Sequence, residues 1–217
     1  MQVRAGFAGR GAVHAALLAG VLTGCSEAAP KAAGDQKATA TASTEAAVAV
    51  KGGTIGATGS ACELPVTFDI ATDWKAEAVD GGGSGDDPAD IADALPHQGP
   101  VALRCEIDAK PAGNIGFLRV WTGEPAEDDA RAVLEAFVEA AAGASKATYR
   151  TFDAGGVDGA EVRYLYTSDL LETKQESALA VVTPDGPVVL HLGGLDTEEH
   201  KGMLPAYQLA KRTLRGR

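Results

Sequence analysis

The chain has 217 residues, 30 Asp and Glu against 19 Lys and Arg, and a formal net charge of −11. An acid excess of that size repels phosphate backbones and argues against a nucleic-acid partner. No stretch approaches the roughly 20 consecutive apolar residues that a bilayer-spanning helix takes, and the length suits one domain of moderate size.

At the N-terminus, Arg4 and Arg10 precede an apolar run over residues 12–21 that only His14 interrupts. A short basic segment followed by about ten apolar residues has the layout of a secretory signal. The tetrapeptide Leu22-Thr23-Gly24-Cys25 that follows resembles the lipobox of bacterial lipoproteins. The resemblance implies that residues 1–24 are a lipoprotein signal peptide and that Cys25 carries a diacylglyceryl thioether, the acyl groups being palmitate-like. It also implies a mature protein anchored at the extracytoplasmic face of the cell membrane. Two acyl chains are what stable anchoring takes. The competing reading is an ordinary signal peptide with an accidental cysteine. Arg4 and Arg10 are not adjacent, which argues against twin-arginine export.

Residues 26–60 are mostly Ala, Gly, Thr and Ser, without an aromatic residue, and Glu27, Asp35 and Glu45 balance Lys31, Lys37 and Lys51. Such a composition buries too little apolar surface to offset its conformational entropy, so residues 25–60 are expected to be a lipidated, disordered tether. A flexible coil of that length reaches roughly 30 Å.

Residues 61–217 are expected to form a single globular domain. They hold 27 acidic against 14 Lys and Arg side chains, an excess of 13. Once Cys25 is lipidated, only Cys62 and Cys105 remain, an even count in an exported domain, and a disulfide between them is expected. Closing that loop would stabilise by roughly 4 kcal/mol on the chain-entropy account. The alternative is a pair of buried thiols.

Within the domain, a strand at 64–70 leads through Asp73-Trp74 to a second at 75–79. The Gly- and Asp-rich excursion at 80–100 contains Asp87-Pro88, a start signal for a short helix. Residues 101–107 alternate as a half-buried strand does, and Pro111-Ala112-Gly113-Asn114 turns the chain into a partner at 115–122. Ala130, Val133, Leu134, Phe137, Val138 and Ala141 give a helix over 125–142 one apolar face, with Pro125 opening it and Gly143 stopping it. Strands follow at 147–152, 160–167, 176–183 and 187–195, the last two joined by Pro184-Asp185-Gly186. Asp196 and Glu199 resemble a capping box opening a C-terminal helix, which Pro205 is expected to kink or split. Met203, Tyr207, Ala210 and Leu214 form its apolar stripe.

This order of elements predicts an α+β fold, an antiparallel sheet with helices packed on it. Phe68-Asp69-Ile70-Ala71-Thr72-Asp73-Trp74, together with a terminal hairpin running toward Leu204-Pro205-Ala206-Tyr207, resembles the PsbP-like fold. That α/β/α sandwich is shared by extrinsic proteins of the oxygen-evolving photosystem, Mog-type Ran-binding proteins and actinobacterial LpqN-type lipoproteins. The resemblance implies a non-catalytic interaction module, and it carries no functional residue across.

Chemical motifs are sparse. The sequence has no G-x-S-x-G, P-loop or S-x-x-K pattern, and neither a catalytic residue nor a cofactor is expected. His191, in a strand, and His200, read as an exposed helix residue, do not have zinc-site spacing, so no metal is expected. Gly155-Gly156-Val157-Asp158-Gly159 leads into a strand rather than a helix and reads as a turn. Asp80, Asp86, Asp87, Asp90 and Asp93 lack the ligand spacing of a calcium loop. Trp74, Trp121, Tyr164 and Tyr166 are the candidates for a partner-binding surface, the two tyrosines sharing one face of a strand. The resulting expectation is a membrane-anchored extracytoplasmic lipoprotein serving as a non-catalytic binding or assembly module, held by its lipid and recognising an unidentified protein or cell-envelope partner. The alternative is a small extracytoplasmic enzyme or a solute-binding lipoprotein.

Overall fold

The computed structural model describes residues 47–80, 96–168 and 172–217, all within one compact unit, 44–217. The expected signal peptide, Cys25, the expected tether up to residue 46 and the 81–95 part of the acidic excursion, with its expected short helix, lie outside the described residues.

The first element overturns a boundary. Strand β1 (Lys51–Ile55) falls inside the stretch assigned to the tether, yet it pairs antiparallel with β2 (Val66–Ala71). Ile55 is buried, and Ala49 N–H donates to the Pro205 carbonyl at 3.0 Å. The glycines that read as spacer are close-approach positions. A Cβ on Gly56, at φ +102°, would sit 1.9 Å from the Val66 carbonyl oxygen, and one on Gly52 would sit 2.6 Å from that of Ala71. Folded chain therefore begins before β1 rather than after Ser60, and residues 47–60 do not belong to a tether.

The chain continues through β3 (Lys75–Ala78), β4 (His97–Gln98), β5 (Val101–Asp108) and β6 (Gly116–Thr122). Helix α1 (Ala130–Glu139) separates these from β7 (Ala144–Ala154), β8 (Val157–Tyr166), β9 (Lys174–Thr183) and β10 (Gly186–Gly194). Helix α2 (Thr197–Thr213) and the two-residue β11 (Arg215–Gly216) close the order. The main antiparallel sheet runs β3-β5-β6-β10-β9-β8-β7, with β4 on β5, and a small sheet runs β1-β2-β11. The fold is α+β, as expected.

Alternation divides the sheet into two faces. Val162, Ala178, Ala180 and Val189 meet α1 through Val133, Leu134, Phe137 and Val138. Leu179, Val181, Leu190 and Leu192 meet α2 and the small sheet, including Phe68, Met203 and Tyr207. Being covered on both sides, β10 is buried along its whole length.

Both helices differ in detail from expectation. α1 starts five residues after Pro125, because the Asp129 carboxylate accepts from Ala132 N–H at 2.8 Å and so caps the helix there. α2 is continuous through Pro205. Its Asp196 cap accepts from Glu199 N–H at 2.9 Å, but the Glu199 carboxylate reaches to Ile115 N–H, also 2.9 Å, instead of closing the box. The expected disulfide joins Cys62 to Cys105 with Cα atoms 6.0 Å apart, tying the β1–β2 connection to β5.

Candidate functional site

Two polar constellations occupy opposite faces of the sheet at the end where β8 finishes and β9 begins. On the α1 face, register sets Tyr164 opposite Glu176, and Ala178 opposite both Val162 and His191. The Glu176 Oε2 atom accepts from the Tyr164 hydroxyl at 2.9 Å and lies 3.0 Å from His191 Nε2. A carboxylate oxygen only accepts, so both neighbours point their protons at it. The other oxygen, Oε1, lies 3.0 Å from Lys174 Nζ, which also donates to the Gly194 carbonyl at 2.6 Å. Gly193 makes room for this arrangement, since a Cβ there would lie 3.2 Å from His191 Cε1.

Electrostatics favour an ionised Glu176 and a protonated Tyr164. Burial by itself would raise the Glu176 pKa, but the His191 hydrogen bond and charge, with Lys174, outweigh it and hold the pKa down to about 2. Burial, then the Glu176 charge and hydrogen bond, push the Tyr164 phenol far above its usual range. Removing one member of such a buried charged set costs about 3–5 kcal/mol, because the rest is left uncompensated. His191 also stacks beside Tyr164, with ring centroids 6.4 Å apart, and meets Phe137 at 5.7 Å.

On the α2 face, Thr148, Arg163 and Ser177 form one cross-strand row over β7, β8 and β9. The Ser177 hydroxyl lies 3.0 Å from His200 Nε2, so strand and helix meet beneath the row. His200 is not the exposed helix residue expected. It is 2 % exposed, and burial lowers its pKa to about 4. It falls on the inward face of α2 with Met203 and Tyr207. Above this floor opens a depression of about 300 Å³ rimmed by Lys146, Thr148, Arg163, Leu165 and Gln175. Lys146 and Ala147 together stand opposite Tyr164 in a bulge between Ser145 and Thr148. The bulge holds Lys146 at φ +52°, a conformation that costs a non-glycine residue on the order of 1–3 kcal/mol. A larger open groove, about 660 Å³, lies between the start of α1 and the β7–β8 turn. Its lip of Glu127, Asp128, Asp129 and Asp158 is a solvated acidic surface.

The four aromatic candidates do not make a recognition surface. Trp74, Trp121 and Tyr164 are buried, and Tyr166 is half-buried beside Tyr164 on the α1 face. Trp121 and Tyr164 lie on strands covered by α1, which turns them into the core. Glu176 and Lys174 are the residues that sequence reasoning missed; a Glu opening an otherwise apolar strand was the available signal. Asp80 is exposed, while the other four excursion aspartates lie outside the described residues. Among the described residues, no group of three or more metal-ligating side chains converges.

A protein-family model described as "Uncharacterised lipoprotein" matches residues 32–214. The chain belongs to that lipoprotein family. Membership makes the protein a lipoprotein, associated with a membrane through its lipid. No curated protein matches the chain. Among solved structures, it is similar to cyanobacterial PsbP (CyanoP) from Synechocystis sp. PCC 6803, determined in solution, with 12 % identity and a TM-score of 0.49, covering 76 % of this chain and 91 % of that one.

Proposed function

We propose that Cys25 carries the lipid, that the protein stands on the extracytoplasmic face of the cell membrane, and that the folded unit is a non-catalytic binding module. One observation carries the last part. The strongest ionisable constellation, Tyr164–Glu176–His191–Lys174, is closed on itself on the α1 face, each charged or acidic group tied to another. A general base or nucleophile has to meet substrate, whereas these groups brace three strands against one another. The depression on the other face is bordered by a separate set of polar side chains, Lys146, Thr148, Arg163 and Gln175.

The anchor is tested by Cys25→Ala, which should move the protein from the membrane fraction to the soluble fraction; retention after a high-salt wash would place the anchor elsewhere. Binding is tested by native mass spectrometry of the wild-type protein released gently from its membranes, which should show an added mass at a fixed stoichiometry. A chain recovered bare, both there and after cross-linking in intact cells, would overturn the binding reading.

A further inference from the structure

We propose that the α2-face depression is a binding site for a phosphate monoester, held between the Arg163 guanidinium and the Lys146 ammonium. The proposal rests on the reading of the folded unit as a binding module and names the ligand class.

Two unpaired cations beside one cavity set this place apart. In a chain of net charge −11, partners are abundant, and several cations of the sheet and helices use them, whereas Lys75 and Arg104, likewise without a hydrogen bond or ion pair, do not border this cavity. Lys174 pairs with Glu176, Lys211 with Glu161, Arg119 with Glu106 and Arg131 with Glu135. The Arg163 and Lys146 side chains form no hydrogen bond or ion pair among the described residues, although they border one cavity. Two neighbouring unpaired cations repel each other, and an anion between them removes that repulsion.

Backbone conformation is the second, independent observation. The bulge opposite Tyr164 keeps Lys146 left-handed without a glycine, and bulges re-aim side chains next to functional sites. An ordinary strand residue there would alternate with its neighbours; the extra residue brings an ammonium to the rim of the Thr148–Arg163–Ser177 row.

Donor chemistry selects the ligand. Arg163, Lys146, the Thr148 hydroxyl and the Gln175 amide offer donors from three strands. A carboxylate has two oxygens to receive them, whereas a phosphate monoester has three terminal oxygens and a second negative charge. The acid that borders the cavity, Glu176, is engaged by Lys174, His191 and Tyr164, and strand alternation turns its carboxylate to the α1 face. A space of about 300 Å³ is at the lower end for small-molecule sites and suits a headgroup-sized ligand.

The test titrates glycerol 3-phosphate into the lipidated protein in non-ionic detergent micelles, read by calorimetry at low salt. Saturable binding is expected, weakened roughly tenfold or more by Arg163→Gln and by Lys146→Gly, and unchanged by Lys201→Gln. Lys146→Gly removes the cation but suits the left-handed backbone, so its melting temperature should hold or rise while binding falls. That combination separates ligand contact from folding. Absence of saturable binding, equal loss in Lys201→Gln, or tighter binding of acetate would overturn the assignment. A second arm gives Cys25→Ala protein vesicles containing phosphatidic acid, a lipid whose headgroup is a phosphate monoester. Vesicle binding that glycerol 3-phosphate displaces and Lys146→Gly abolishes identifies a lipid headgroup as the source; micellar binding without vesicle binding identifies a free solute. If the phosphate assignment fails while the membrane-recovered protein still carries a bound mass, the pocket is wrong and the binding module stands.

Discussion

His200 shows how one buried side chain couples folding to acidity. Burial first, then Arg163, His191 and Lys174, lower its folded pKa to about 4 against an ordinary value of 6.5, with Glu176 opposing. Between those values the unfolded chain binds the proton that the folded chain refuses. Stability is therefore full above about pH 6.5 and falls as the pH drops toward 4, by something on the order of 3 kcal/mol. Glu176, held down to about 2, loses its contribution only at lower pH, between 4.5 and 2. His200→Gln keeps a polar contact for Ser177 but does not titrate, so its stability should vary less over pH 6.5 to 4. Urea denaturation at intervals across that range tests this; parallel wild-type and variant profiles would refute it. Nothing in the sequence marks His200 as buried until α2 is given its rotation, because its neighbours Glu199 and Lys201 are charged.

At the scale of elements, β1 separates what composition reveals from what it hides. Strands 101–107 and 176–183 were legible because apolar residues dominate them and turn residues bound them, and the apolar face of α1 was legible from its spacing. β1 reads Lys-Gly-Gly-Thr-Ile, which periodicity cannot tell from a spacer. Its pairing depends on glycines that let two backbones touch, a demand visible only when β2 is in place. The Tyr164–Glu176–His191 cluster was hidden for a similar reason, since it is assembled by register across three strands. Two deletions should therefore behave differently. Removing residues 30–43 takes away nothing from the unit that starts at Thr44, and should leave the melting temperature nearly unchanged. Removing 30–58 deletes β1 with buried Ile55, leaves the Leu64 N–H without the Gly56 carbonyl, and should lower the melting temperature by several degrees. Equal melting temperatures would mean that β1 contributes nothing to stability.

Taken as a molecule, the folded unit uses its ends as structure. The chain enters on β1, leaves on β11, and both pair with β2. The basic residues near the C-terminus are tied into the fold: Lys211 to Glu161, Arg215 to the Leu214 carbonyl, and Arg217 to the carbonyls of Gly56 and Leu64. The Cys62–Cys105 bridge has a topological effect apart from its energy. It makes the backbone from 62 to 105 a closed ring, holding β2, β3 and β4. A single proteolytic cut anywhere inside that ring, such as in the Gly- and Asp-rich 80–100 stretch, opens the ring without parting the molecule. The cut chain should run at full mass on an unreduced gel and as two fragments once reduced, whereas Cys105→Ala should part under both conditions in denaturant. A chain cut anywhere between residues 62 and 105 would thus remain in one covalent piece, and reduction of the bridge, rather than the cut, would decide when only noncovalent contacts join its two parts.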